Sequence, residues 1–255
     1  MSDPIPVMLV AGGTGSIGSV IAEYAARAGW AVALHGSSAA SVDAAVERVI
    51  KAAGANSVVN GFSADIAVAG AIESLVEQVG TWQGRIDAVV DCVATGPKRR
   101  LTGLFAETDA EGYAAFMDLS IVHLQRLAKG SLPWLQRNGG TLIAFASDAG
   151  RFAAPRQSLI GASRAAIMGF VRNLAVEVAR DGVRVHCISP SFVDKTRTAK
   201  RLAASSAERI ENARCKAGLG LPTPQDIAPL VLFLCSDGAQ RITGQVISVN
   251  GGMNA

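Results

Sequence analysis

Short apolar runs alternate with longer stretches of helical period along the whole chain. The runs Val7–Ala11, Ala31–Leu34, Ser57–Asn60, Ala88–Val93, Thr141–Ala146, Val183–Ile188 and Gln245–Val249 read as strands. Most are apolar at every position, as a sheet buried on both faces requires. Between them lie amphipathic stretches. In Ser41–Ala53, Val42, Ala45, Val46 and Val49 fall on one helical face, and Ser16–Ala28, Phe116–Leu135 and Ala165–Arg180 read the same way. Strand–helix alternation predicts an α/β fold: a Rossmann-type, doubly wound, parallel seven-stranded sheet with helices on both faces, in three α/β/α layers. No linker divides the chain, so 1–255 reads as one domain. Residues 191–224 break the rhythm. They are polar, basic and Ala-rich, and read as a lid-like insertion over the ligand edge.

Composition narrows the classes. The chain has 255 residues, 18 % of them charged, with a formal net charge of +3. That is a globular composition and gives no footprint for nucleic acid. The mild positive charge suits small anionic ligands. The cysteines Cys92, Cys187, Cys215 and Cys235 are scattered, which reads as reduced thiols in an intracellular protein. No apolar run reads as membrane-spanning and the start lacks a leader pattern, so a cytoplasmic location is expected.

The candidate chemistry begins after the first strand, at "AGGTGSIG" (Ala11–Gly18). Gly12, Gly15 and Gly18 permit a tight turn and bring a helix N-terminus against a pyrophosphate. The second strand ends in "LHGSSAAS", with neither an acid for ribose hydroxyls nor an arginine for a 2′-phosphate. The favoured reading is that no ribose is gripped there; the alternative is a phosphate held by serines. Asp65, after the third strand, could accept from an adenine amino group or cap the following helix.

These features together resemble the short-chain dehydrogenase/reductase family. The glycine loop, the "AD" before Ile66, "FASDAG" at Phe145–Gly150 and the ending "TPQDIAPLVLFLCSDGAQRITGQVISVNGGMNA" carry the resemblance. It implies hydride transfer with NAD(P) at a carbonyl or alcohol carbon. A tyrosine would serve as acid or base, helped by a lysine four residues on, a serine and an asparagine. Matched residue by residue, the serine is Ser147, but the tyrosine position is Ile160, the lysine position Arg164 and the asparagine position Asp118. An alkyl side chain cannot exchange a proton. Other marks differ too: Ala11 and Ser16 in the glycine loop, Asp91-Cys92-Val93-Ala94 after the fourth strand, Ser191 after Pro190, and Lys195 in a threonine's place. No catalytic residue of the usual kind is expected, and Gly12, Gly15, Gly18 and Asp65 become a weak or vestigial cofactor site. No metal site is expected.

The remaining candidates are Asp148, beside Ser147, and His35, His123 and His186, read as structural or surface residues. The expected function is a non-catalytic subunit. It would assemble with an active homologous subunit into a heteromeric NAD(P)-dependent alcohol or hydroxyacyl-CoA dehydrogenase, through helices around 108–135 and 156–180. Ile121, Leu124, Leu127, Ala166, Met168, Phe170 and Leu174 are the apolar faces offered for that packing. A CoA ester or carboxylate could be held by Lys98, Arg99, Arg100, Arg151, Arg156, Lys195 and Arg197. Two alternatives stay open: an elimination, hydration or aldol-like enzyme using Ser147, Asp118 and Arg164, or a dinucleotide-sensing scaffold.

Overall fold

The computed structural model describes residues 4–93, 101–205 and 207–254. In chain order the elements are β1 (Val7–Ala11), α1 (Ser16–Arg27), β2 (Ala31–Gly36), α2 (Ala39–Ala53), β3 (Val59–Ser63), α3 (Ala71–Gln83), β4 (Ala88–Asp91), α4 (Tyr113–Met117), α5 (His123–Leu135), β5 (Thr141–Phe145), α6 (Ser158–Val178), β6 (Arg184–Pro190), α7 (Arg197–Ser205), α8 (Ala207–Lys216), α9 (Pro224–Cys235) and β7 (Val246–Val249). The strands form one seven-stranded sheet in the order β3-β2-β1-β4-β5-β6-β7, every pair parallel. The expected doubly wound α/β fold is what the chain adopts.

Strand alternation splits the core in two. Leu9, Val89, Leu142 and Val185 face the layer of α3, α5 and α6, while Met8, Val10, Val90, Ile143 and Ile188 face that of α1, α2 and α9. Each fully buried Val, Leu or Ile contributes roughly 1.5–3 kcal/mol. The order reverses between β1 and β4, so the carboxyl ends of these strands open the crevice where such sheets take ligands.

Several element boundaries differ from the sequence reading. β3 starts at Val59 rather than Ser57, and β2 runs on through His35 to Gly36. The helix expected over Phe116–Leu135 is interrupted by a π-helical turn at Asp118–Val122. The one expected from Ala165 starts a full turn and more earlier, at Ser158. By length and composition the stretch Ser158–Asp181 is apolar enough to cross a membrane, contrary to expectation. Here its side chains Ile167, Met168, Val171, Leu174 and Val178 pack on the sheet.

The apolar faces offered for assembly also change. Ile121, Leu124, Leu127, Met168 and Leu174 are buried in the chain's own core. Helical spacing cannot tell a core stripe from an interface stripe, and on a sheet-covering helix the sheet takes it. Ala166 and Phe170 are only partly buried, and Val122 and Val176 are exposed.

Asp148 joins three separate segments. Its Oδ1 accepts from Ser189 Oγ of β6 (2.9 Å) and Ser248 Oγ of β7 (2.8 Å), and its Oδ2 from Asn250 Nδ2 (2.6 Å). The residue is 2 % exposed. Asp148→Ala therefore leaves buried donors without a partner and should cost about 3 kcal/mol. Asp148→Asn should cost about 1 kcal/mol, because an amide facing two serine hydroxyls can donate to them. Urea unfolding midpoints measure both; equal losses would show that side-chain volume, not hydrogen bonding, holds the turn.

Candidate functional site

The glycine loop crosses the carboxyl end of β1. Gly12 has φ +74°, and a Cβ there would stand 2.7 Å from the Cys92 carbonyl oxygen, so only glycine fits. α1 begins with Gly15 as N-cap, no capping side chain and no acid in its first turn. Its first amides and the positive end of its dipole remain available to an anion. This half of the site fits a pyrophosphate.

His35 supports the loop from below. It accepts the Gly12 N–H at Nδ1 (3.2 Å), which leaves Nε2–H to donate to the Ala64 carbonyl (3.0 Å). Burial lowers its pKa, against the raising effects of Ala64 and Asp91. The neutral imidazole is thus a strut between β1, β2 and β3. His186 is also structural: buried in β6 and facing the charge of Arg184, its pKa falls to about 4.

Asp65 is exposed. Its Oδ1 accepts from Ala67 N (3.0 Å), closing a turn, while α3 starts only at Ala71 with Gly70 as its N-cap. It caps that turn and not the helix, contrary to one of the two expectations.

The second half of the site lies where β4, β5 and α6 meet. Ser147 lies two residues past the end of β5, and its Oγ accepts the Ala149 N–H at 3.4 Å as the chain turns. That turn packs directly on α6. A Cβ at Gly161 would stand 2.7 Å from the Ala149 carbonyl oxygen, so the glycine of "IGAS" is required by close approach. Ile160 lies in the first turn of α6, half-buried, one residue before this contact. Arg164, one turn on, is half-buried too. Burial works against its charge and Asp91 supports it. Asp118 instead stands exposed on the π-helical turn, with its charge felt by Arg126. The buried polar side chain of that turn is Ser120. Asp148 is withdrawn from the cleft into the anchor described above.

Sequence reasoning missed the strongest polar contact here. His123 Nε2–H donates to Asp91 Oδ2 at 2.9 Å, with both side chains about 95 % buried. Asp91 Oδ1 also accepts from Val93 N (3.2 Å). Burial disfavours the charged imidazole and Arg164 repels it. Asp91, by charge and hydrogen bond, with the Leu119 carbonyl, outweighs both, so the pKa of His123 is raised above 6.5. The signal available was a carboxylate ending a buried strand.

The expected basic rim is only partly assembled. Arg151 donates to Ser248 Oγ (2.9 Å) and Arg197 to the Thr14 carbonyl (2.6 Å). Arg156 and Lys195 are exposed with positive φ. Lys98, Arg99 and Arg100, like Ala94, lie outside the described residues. Cys187 is buried, whereas Cys215 is exposed.

Removing the imidazole in His123→Ala takes away the hydrogen-bond donor to the buried Asp91 carboxylate, and should cost about 3 kcal/mol. A raised folded pKa means that the contribution is complete below pH 6.5 and is lost as pH rises through the folded value. Thermal unfolding of the native chain should therefore show falling stability above pH 6.5, and His123→Gln should lack that component. Parallel profiles for the two would dismiss the charged pair.

Comparison with known proteins places this geometry. The family profile described as "Enoyl-(Acyl carrier protein) reductase" matches residues 11–254. The chain is 30 % identical over 253 residues to 2-(S)-hydroxypropyl-CoM dehydrogenase 3 of Xanthobacter autotrophicus, covering 98 % of this chain and 96 % of that one. It is 29 % identical over 212 residues to the NADH-dependent enoyl-[acyl-carrier-protein] reductase of Aquifex aeolicus, covering 81 % and 75 %. A solved short-chain type dehydrogenase/reductase from Mycobacterium ulcerans superposes with a TM-score of 0.91 at 26 % identity, covering 99 % of this chain and 91 % of that one. With sheet order, glycine loop and sequence in agreement, the chain belongs to the short-chain dehydrogenase/reductase family of oxidoreductases.

Proposed function

We propose that this chain is a non-catalytic subunit that assembles with an active homologous subunit into a heteromeric NAD(P)-dependent alcohol or hydroxyacyl-CoA dehydrogenase. Its type resembles the non-catalytic subunit of 2-[hydroxy(phenyl)methyl]succinyl-CoA dehydrogenase. The observation that carries the reading is Ile160. It occupies the first turn of α6 beside the Ser147 turn, where the family's reaction needs a proton donor. A nicotinamide cofactor supplies or accepts the hydride, but the oxygen must still gain or lose a proton. General acid–base help there is worth ~10²–10⁴ in rate.

The neighbouring titratable groups support the same reading. Asp148 is held by three donors, and His35 is engaged through both ring nitrogens. The Tyr113 hydroxyl is bound to Thr108, and Tyr24 lies in α1. Assembly is supported by surface that the chain leaves apolar. Only about a third of the most apolar stretch of α6 is buried within the chain. Val176 is 77 % exposed, and β7 forms the sheet edge beyond β6, where an unpaired strand favours a covering partner. Residues 191–224, with α7 and α8, are proposed as the lid over the ligand edge.

The reading with elimination, hydration or aldol chemistry has less support, since Asp118 is exposed while Arg164 faces Asp91. The purified chain should oxidise alcohols with NAD⁺ or NADP⁺ at least ~10²-fold more slowly than a complex purified from its source. Native mass spectrometry of that source material should show a hetero-oligomer. A lone homo-oligomer that turns over unaided at the rate of an ordinary dehydrogenase would refute the proposal.

A further inference from the structure

Between α4 and α5 the helix widens into the π-helical turn Asp118–Val122, and the His123 backbone N–H donates to the Asp118 carbonyl, five residues back. A regular α-helix would give that N–H to the Leu119 carbonyl instead. The turn thus leaves the Leu119 carbonyl beside the imidazole of the very residue whose amide passes it over, and that carbonyl is among the groups that raise the pKa of His123. Single π-helical turns of this kind are rare and concentrate at functional positions.

The ring of His123 forms the other half of the arrangement. Its Nε2–H donates to Asp91 Oδ2 at 2.9 Å. Its Nδ1 is buried and has no hydrogen-bond partner among the described residues. With the single proton of the neutral ring on Nε2, Nδ1 is a bare lone pair, and the carbonyl oxygen beside it is a second acceptor. Two buried acceptors without a donor between them are unfavourable. A second proton on the ring turns Nδ1 into a donor and satisfies both atoms at once. The charged and titratable groups around the ring are Asp91 from β4, which favours that proton, Arg164 from α6, which opposes it, and His35 from β2, itself held neutral by burial. On its own helix, Asp118 is exposed and its charge acts on Arg126.

We propose that the Asp91–His123 pair is a proton-operated latch on the register of this helix. With the ring doubly protonated, Nδ1–H donates to the Leu119 carbonyl and the π-helical turn is held. As pH rises through the folded pKa, which lies above 6.5, the ring loses that donor. The Leu119 carbonyl then regains a donor when the His123 backbone N–H returns to it. That change takes the extra residue out of the turn and rotates the preceding residues by about 100° against α5. Asp118 and Ser120, one exposed and one buried on the present turn, take new directions. The latch uses only backbone and buried groups of this chain, so it does not rest on the proposed function.

Backbone and imidazole NMR of the full chain, from about pH 5 to about pH 9, tests it. The Cα shifts of Asp118–Val122 should titrate with the midpoint of the His123 ring, leaving their low-pH values as the ring loses its proton. Asp91→Asn should lower both midpoints together by about one pH unit or more. His123→Gln should flatten the backbone titration. Glu73→Gln, which takes the exposed partner from Arg126 on the same helix, should leave both midpoints in place. Where His123→Gln does not fold, the native chain and Asp91→Asn decide. A ring that titrates while the Cα shifts of the turn stay flat would overturn the latch. So would midpoints that separate in Asp91→Asn or follow Glu73→Gln, a backbone titration that survives in His123→Gln, or a ring that does not titrate in this range.

Discussion

The turn after β5 is clamped from two sides, and the placement of Ser147 against α6 follows from that clamp. On one side Asp148 gathers donors from β6, β7 and Asn250. On the other, Gly161 lets α6 approach the Ala149 carbonyl. A buried carboxyl with three donors is costly to rearrange, and a Cβ in the α6 contact would force the helix away. Ser147 is therefore fixed relative to Ile160 and Arg164 whatever those side chains are. This separates architecture from chemistry. The clamps of this chain use Asp148, Gly161 and the β6–β7 ends, none of which must exchange a proton.

Beneath the cleft a second buried network concerns charge. Arg164 brings a permanent cation to the carboxyl end of β4, and Asp91 and His123 answer it at 2.9 Å from one another. A lysine can lose its charge when buried, but an arginine does not. Placing arginine on α6 thus calls for a lasting negative partner nearby, and the carboxylate of Asp91 supplies one. His123, whose pKa that carboxylate raises, then shares it. The result is a cluster built to hold its charges, unlike a lysine that tunes a phenol.

The fold was legible because its signals are redundant. Continuous apolar strands, helical period between them and the glycine loop each imply the parallel sheet, so misjudged ends at β3 and α6 did no harm. The site was legible only where identity alone decides, as at Ile160. Side-chain direction was not legible. Asp118 and Ser120 are two residues apart on one turn, yet one is exposed and the other buried, because the π-helical turn shifts the phase that a regular helix would give. His123 read only as a structural or surface residue, since its partner Asp91 lies 32 residues earlier in the chain.

The same limit explains why core and interface were confused on α5 and α6. Periodicity marks which positions avoid water but not what covers them. The sheet takes Leu124, Leu127, Met168 and Leu174, and a helix of such composition still has apolar side chains left over, with Val176 the most exposed. An isolated exposed valine needs no explanation. The other exposed residues of α6 are Ser158, Ala162, Ala165, Arg172, Asn173 and Glu177, so Val176 is the one large apolar side chain it leaves to water. The end of α6 at Ile160 is set by the clamp, and further along Val171, Leu174 and Val178 pack on the sheet while Val176 stands exposed. One helix thereby carries both Ile160, at the site, and Val176, on the surface proposed above for a partner subunit.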